Sequence, residues 1–184
     1  MCIRDSPHTI GAPWDGPEPQ LGGGLAIFSR TPLDRIAMSE VASPAGRPVL
    51  AASTEIDGTE VVVVALHPHA SRFERDKVDL RQRQFNAVAD LLRDDSRPAV
   101  LLTDMNVTPT STAYRSLLDD LGWRDTHRIT GWDASWPSFG GWLGLPIDHV
   151  LVSDNVAVHA IDAVGNGGSD HRALRAELSI SPGS

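Results

Sequence analysis

The sequence predicts an α+β protein in which two β-sheets pack together and helices cover them from outside. Short apolar runs of strand length dominate the chain, and only two segments show the apolar periodicity of an amphipathic helix. Helices are predicted between some of the strands, and the sequence has no internal repeat. With 184 residues, the chain is long enough for one domain with a substantial core.

The composition restricts the class of protein. Hydrophobic residues make up 41% and charged residues 22% of the chain, which is typical of a globular protein. No apolar run approaches the roughly 18–20 residues needed to cross a bilayer. The net charge of −8 argues against broad, non-specific attraction to nucleic acid. The single cysteine, Cys2, excludes an intramolecular disulfide, and the N-terminus lacks the apolar core of a signal peptide, so the compartment stays open.

The chain divides into three parts. Residues 1–21 are rich in proline and glycine, and we predict an irregular N-terminal segment there. The domain is predicted over residues 22–180, and residues 181–184 are assigned to a tail.

Seven runs with the length and apolar character of strands follow along the domain. They cover residues 25–30, 49–56, 60–66, 99–103, 146–152, 156–160 and 173–180. The second and third runs flank Asp57-Gly58, a strong signal for a two-residue hairpin turn. The third run is apolar on both faces and should be central in a sheet, whereas the last alternates cleanly and should be an outer strand.

Two helices are predicted between these strands. Residues 75–93 have apolar side chains at helical spacing, with the arginines on a solvated face. The predicted buried face consists of Val78, Phe85, Val88, Ala89 and Leu92. Residues 111–121 predict a second helix, which Thr110 or Ser111 could cap and Gly122 could end. Residues 122–145 then hold four of the five tryptophans in a loop-like segment. That segment is either a substrate-binding wall or a hydrophobic lid over the core.

Polar residues cluster where predicted strands begin or end. The clusters are His67/His69, Asp104/Asn106, Asp148/His149 and Asp170/His171. A charged side chain at the end of a buried strand is costly unless it has a partner, and a metal ion or a phosphate-water site is the usual one. Carboxylate and amide oxygens suit Mg²⁺ or Mn²⁺, and histidines beside carboxylates suit proton transfer or phosphate contact. The sequence therefore predicts that these clusters converge on one site.

Five segments also match, in order, the motifs of a known family. They are Gly24–Pro32, the strand that ends at His67, Thr103–Asn106, Ile147–Leu151 and Gly168–Arg172. Together they resemble the endonuclease/exonuclease/phosphatase family, the deoxyribonuclease I-like metal-dependent phosphoesterases. The resemblance runs from about residue 22 to residue 178. It implies a four-layered α/β/β/α sandwich of two mostly antiparallel sheets, and hydrolysis of a phosphodiester or phosphomonoester with Mg²⁺ or Mn²⁺.

The resemblance implies catalytic roles for five residues, of which His67 would act near the phosphate or the leaving group. Asp104 would orient or deprotonate the attacking water, and Asn106 would help to hold this water and the phosphate. His171 would hydrogen-bond a phosphoryl oxygen, with Asp148 orienting its ring. Water would attack phosphorus in line, while the metal and the imidazoles neutralise the developing charge.

The resemblance implies further binding roles. Asp170 would bind the divalent metal, with Asp104 as a second candidate ligand, and His67 would lie near the phosphate or the leaving group. Additional substrate contacts are assigned to Arg72, Trp136 and Trp142.

The sequence departs from the family at one important place. Family members carry an Asn-bearing strand and a Glu metal ligand upstream of the Gly24 strand, and Glu18 has neither the preceding strand nor the order of that motif. We therefore expect a C-terminal portion of the family domain, without its N-terminal strands, that is weakly active or inactive by itself.

Two alternatives remain open at this point. His67 and His69 could instead build a zinc-dependent hydrolase, or the chain could be an inactive fragment or binding module of the same fold. The expected substrate is a phosphoester: nucleic acid, phospholipid head group or small phosphodiester. The negative net charge slightly disfavours long duplex DNA as the substrate. No obligate protein partner is expected.

Overall fold

The computed structural model describes residues 5–13, 23–37, 47–70, 75–131, 134–140 and 143–180. These residues form ten strands and three helices. The strands are β1 (His8–Pro13), β2 (Gly24–Ser29), β3 (Asp34–Ile36), β4 (Val49–Ile56), β5 (Thr59–Leu66), β6 (Ala99–Asp104), β7 (Arg124–Asp125), β8 (Asp148–Val152), β9 (Val156–Val164) and β10 (Ala173–Ile180). The helices are α1 (Arg75–Leu92), α2 (Thr112–Leu121) and α3 (His127–Thr130).

A six-stranded sheet forms the centre of the molecule, in the order β3-β4-β5-β6-β8-β7. Neighbouring strands are antiparallel except β5 and β6, which are parallel and are connected through α1. Val62 and Val64 of β5 are fully buried between two hydrogen-bonded neighbours. The predicted central position of this strand is therefore confirmed.

The predicted hairpin between β4 and β5 is also confirmed. The strands pair from Val49–Leu66 to Ile56–Thr59, and Asp57 and Gly58 form the turn with φ of 51° and 80°. Positive φ at both central residues matches the right-handed twist of the strands, which is why Asp-Gly favours this turn.

Gly58→Ala is expected to destabilise the protein by about 1–2 kcal/mol, because an L-residue with a side chain is strained at this φ. A Cβ atom at Gly58 would meet nothing within 4 Å, so the cost is conformational rather than steric. Gly165→Ala is the matched control, since its Cβ position is equally open and its φ is not left-handed. Urea denaturation should show a lower free energy of unfolding for Gly58→Ala alone. Equal stability of the two variants would contradict the left-handed turn conformation assigned to Gly58.

The two faces of the central sheet are covered differently. Alternate residues of β4, β5 and β6 pack with Phe85, Val88 and Leu92 of α1 and with Tyr114 and Leu117 of α2. The intervening residues face two antiparallel two-stranded sheets, β1-β2 and β9-β10. The strand content, the stacked sheets and the helical layer confirm the predicted α+β fold.

The prediction that residues 1–21 are irregular is wrong for β1. His8–Pro13 pairs with β2 over six residues, and Ile10 and Ala12 pack against the central sheet. Gly11 and Pro13 are poor strand residues. The backbone hydrogen bonds to β2 and the burial of alternate side chains outweigh this weak local preference.

Smaller differences concern the helices. Val78 is 37% exposed although its spacing placed it on the buried face of α1, and Arg81 is only 7% exposed although it was predicted on the solvated face. In the described residues, Ser111 makes no side-chain capping hydrogen bond to α2, whereas Gly122 ends that helix with a φ of 65° as expected. None of the described helices combines the length and apolar character needed to span a membrane.

Candidate active site

Strand direction brings the site residues to one edge of the central sheet. Because β5 and β6 are parallel, His67 and Asp104 lie at the same edge where these strands end. Strand β8 runs antiparallel to β6, so its first residue, Asp148, pairs directly with Asp104. His171 reaches the same edge from the segment that precedes β10.

The four side chains form a chain of close polar contacts. Asp104 Oδ2 lies 3.6 Å from His67 Nε2 and 3.8 Å from His171 Nε2. On its other side, His171 Nδ1 lies 2.8 Å from Asp148 Oδ2. The His67 side chain is 48% exposed and that of Asp104 only 18%, so the cleft opens towards His67. Its volume is about 460 Å³.

Asn106 is held beside Asp104 by a tight backbone turn. Its N–H donates to Asp104 Oδ1 at 2.9 Å, and its φ of 55° lies in the left-handed region that asparagine tolerates. Asn106 Nδ2 is buried and has no hydrogen-bond partner among the described residues. This amide is therefore an unsatisfied donor among the described residues.

Burial and neighbouring charges shift the ionisation of the site. Burial, and after it the charge of Asp148, raises the pKa of Asp104 above its ordinary value. Burial lowers the pKa of His67 despite the opposing effect of Asp104. Burial would also lower the pKa of His171, but the hydrogen bond and charge of Asp148 outweigh it and raise this pKa. The site thus combines a carboxylate and an imidazole whose pKa values are both raised.

Asp148→Asn is expected to lower the pKa of His171 in the metal-free protein, because it removes the charge that favours the imidazolium. Since the folded pKa of His171 is raised, its stabilisation is complete below the unfolded value of about 6.5. It is lost as the pH rises through the folded pKa. NMR titration of the His171 ring measures the shift. Asp90→Asn, a change on α1, should leave it unaltered, and an unaltered titration in Asp148→Asn would contradict the pairing.

The remaining assigned residues are placed less centrally. Asp170 is exposed, and its Oδ2 accepts a hydrogen bond of 3.3 Å from Trp136 Nε1. The Trp136 ring lies beside His171, with centroids 6.5 Å apart. Arg72 and Trp142 lie outside the described residues. The roles assigned to all of these side chains stay predictions.

One group among the described residues could hold a metal ion. Asp104, Asp148 and His171 each offer a ligand atom, and these atoms lie within 4.8 Å of one another. Two carboxylates and an imidazole fit Mg²⁺ or Mn²⁺ with water completing the coordination. Asp170 does not belong to this group, so its assignment as the metal ligand stays a prediction. His67 and His69 do not belong to it either, which gives the zinc alternative no support.

A buried polar group that was not predicted from the sequence lies behind the site. His149 was grouped with Asp148, but neighbouring side chains on a strand alternate, and the His149 side chain is fully buried. Its Nδ1 lies 3.2 Å from Asp125 Oδ2, and Tyr114 Oη donates to the same oxygen. The available signal was an acidic residue in the aromatic segment after Gly122.

Comparison with known proteins identifies the class. Residues 4–171 match the model of the Endonuclease/Exonuclease/phosphatase family. Because this match covers most of the chain, the protein belongs to the endonuclease/exonuclease/phosphatase family. No curated protein sequence matches it.

Solved structures share the fold at low sequence identity. An endonuclease/exonuclease/phosphatase from Beutenbergia cavernae superposes with a TM-score of 0.76 and 21% identity, over 97% of this chain and 55% of that one. The human Nocturnin catalytic domain, solved with a bound sulfate anion, superposes with a TM-score of 0.71 and 16% identity, over 94% of this chain and 72% of that one. The mannosyl-6-phosphatase of Bacteroides thetaiotaomicron superposes with a TM-score of 0.68 and 19% identity, over 94% of this chain and 76% of that one. The chain therefore spans only about half the length of the Beutenbergia protein.

Proposed function

We propose that the chain is the core of a divalent-metal-dependent phosphoester hydrolase. The observation that carries this proposal is the position of Asp104 Oδ2 between the Nε2 atoms of His67 and His171, at 3.6 and 3.8 Å. A carboxylate flanked by two imidazoles can accept a proton from water while the imidazoles face a developing negative charge.

Each described residue has a role in this proposal. Asp104, whose pKa is raised by burial, accepts the proton of the attacking water. His171, oriented by Asp148 through Nδ1, donates from Nε2 to a phosphoryl oxygen. Asn106 Nδ2 donates to the phosphate or to the water, since it has no partner among the described residues. His67, the most exposed of the four, is placed for the leaving group.

A divalent ion would be held by Asp104 and Asp148, with Asp170 as a further candidate, because His171 uses both ring nitrogens as hydrogen-bond donors in this proposal. The ion would supply charge neutralisation at the phosphoryl oxygens. The donor set supports Mg²⁺ or Mn²⁺ over a softer ion, because both of these ligands are carboxylates.

The relatives support a phosphate-like ligand. The Nocturnin structure contains a sulfate anion, and the Bacteroides protein is a mannosyl-6-phosphatase. We propose a phosphomonoester or a small phosphodiester as the substrate of this chain, rather than long duplex DNA, because the net charge of −8 disfavours a polyanion.

The test combines hydrolysis with metal binding on the 184-residue chain. We expect p-nitrophenyl phosphate or bis-p-nitrophenyl phosphate to be hydrolysed slowly with Mg²⁺ or Mn²⁺ and not with a chelator. Mn²⁺ should also broaden the ring resonances of His67 and His171, which tests the site even at low turnover. Absence of this broadening would contradict the proposed metal site. Tightly held zinc after purification would contradict the choice of metal.

A further inference from the structure

Behind the active-site cleft lies a buried network of four polar side chains that the proposed chemistry does not use. Its members are Tyr114 on α2, Asp125 on β7, His127 on α3 and His149 on β8. Asp125 and His149 have no exposed side-chain area, and Tyr114 and His127 are 1% exposed. Burying a carboxylate is costly, so a network of this kind needs either compensation or a purpose beyond packing.

Asp125 is the centre of this network. Its Oδ2 accepts hydrogen bonds from Tyr114 Oη and from His149 Nδ1, the latter at 3.2 Å. Its Oδ1 accepts the backbone N–H of His127 at 3.0 Å. Burial alone would raise the pKa of Asp125, but the hydrogen bonds from His149 and Tyr114 hold it below its ordinary value. The carboxylate is therefore ionised and compensated inside the core.

The two histidines connect this carboxylate to the backbone of the site. His149 Nε2 lies 3.0 Å from the carbonyl oxygen of Val107, the residue after Asn106. His127 Nε2 lies 3.3 Å from the carbonyl oxygen of Asp148. A carbonyl oxygen can only accept, so His149 donates from Nε2 to Val107. His127 Nδ1 also lies 3.4 Å from the carbonyl oxygen of Gly131, and the ring donates to Asp148 in the tautomer that carries its proton on Nε2. One buried carboxylate is thus linked to the Asn106–Val107 turn and to the backbone of Asp148, two of the segments that carry site residues.

We propose that Asp125 is a positioning residue for the phosphoester site, acting through His149 on the Asn106–Val107 turn and through His127 on the backbone of Asp148. The turn needs such support because Asn106 has a left-handed φ and its side-chain amide has no partner among the described residues. Without the bond from His149 to the Val107 carbonyl, Asn106 is free to leave this conformation, and its side-chain amide is no longer held beside Asp104.

Only the predicted changes in kcat and KM rest on the proposed function; the predicted change in hydrogen exchange does not. His149→Phe retains a ring of similar size and removes both hydrogen bonds, whereas His149→Gln can still donate to the Val107 carbonyl. Asp125→Asn removes the charge with little change of volume. Val88→Ala, a buried residue between α1 and the sheet, is the control for a general loss of stability.

Two measurements on the full chain test the proposal. Amide hydrogen exchange of Asn106, whose N–H donates to Asp104, should accelerate by about tenfold or more in His149→Phe and Asp125→Asn relative to Val88→Ala. With turnover detectable, kcat should fall by about 10²-fold, as expected when a reacting group is displaced by about 1 Å. The KM should change far less, and His149→Gln should recover part of both effects.

Equal exchange at Asn106 in His149→Phe and Val88→Ala would overturn the proposal and leave the network a purely structural role. Failure of His149→Gln to exceed His149→Phe would overturn the link through the Val107 carbonyl. If Asp125→Asn does not fold, the two His149 variants decide the question. If the wild-type chain hydrolyses no phosphoester, the exchange comparison decides it without the kinetics.

Discussion

Replacing Asp104 by asparagine should lower the rate of phosphoester hydrolysis by about 10³-fold, because removal of a general base typically costs 10²- to 10⁴-fold. Asparagine keeps the shape of the side chain and an oxygen that can accept the Asn106 N–H. It cannot accept a proton from water, and it removes the negative charge between His67 and His171. The measurement is kcat with saturating Mg²⁺ or Mn²⁺ on the substrate that the wild-type chain hydrolyses fastest.

Asp90→Asn is the control for loss of one carboxylate, since Asp90 is an exposed residue of α1 whose recorded partner is Arg93. This variant should hydrolyse at the wild-type rate. An Asp104→Asn protein that is folded and retains more than about a tenth of the wild-type kcat would contradict the assigned role of Asp104.

Replacing Phe85 by alanine should destabilise the protein by about 3–5 kcal/mol, the usual cost of removing a fully buried phenylalanine. Phe85 is 1% exposed and belongs to the cluster that joins α1 to the central sheet. Stabilities of natural domains are only about 5–15 kcal/mol, so this loss is a large part of the total. The measurement is the free energy of unfolding from urea denaturation.

Val78→Ala is the matched control on the same helix. Its apolar spacing predicted the same buried face as Phe85, but the side chain is 37% exposed. It should cost less than about 1 kcal/mol, since surface substitutions are usually nearly neutral. Equal destabilisation by the two variants would show that α1 packs on a different face.

The sequence predicted most of the central sheet because its strands have strong local signals. Val49–Leu66 carries two apolar runs and an Asp-Gly turn, so its pairing depends on neighbours in the sequence. Strand β1 has no such signal, since its hydrogen bonds come from β2 and its side chains are buried by the sheet. Arg81 shows the same limit, because a residue in contact with other elements cannot be placed by helical spacing alone.

The candidate site could be predicted from the sequence only where its residues lie at the ends of predictable strands. His67, Asp104 and Asp148 follow from the parallel and antiparallel order of β5, β6 and β8, which brings their polar ends together. Asp125 was not predictable, because its partners come from α2, α3 and β8 and leave no regular spacing in the sequence. The Trp136 contact with Asp170 was not predictable either, since it joins two loops distant in the chain.

The parallel pairing of β5 and β6 has a consequence for the order of folding. Strands β4 to β6 and helix α1 are contiguous in the sequence, and contacts between nearby segments form with the smallest loss of chain entropy. Strand β8 pairs with β6 but is separated from it in the sequence by a long segment, which contains α2 and the tryptophan-rich residues 122–145. Asp104 is therefore expected to reach its folded position before Asp148 does. In a growing or refolding chain, the active site should be completed in the last step.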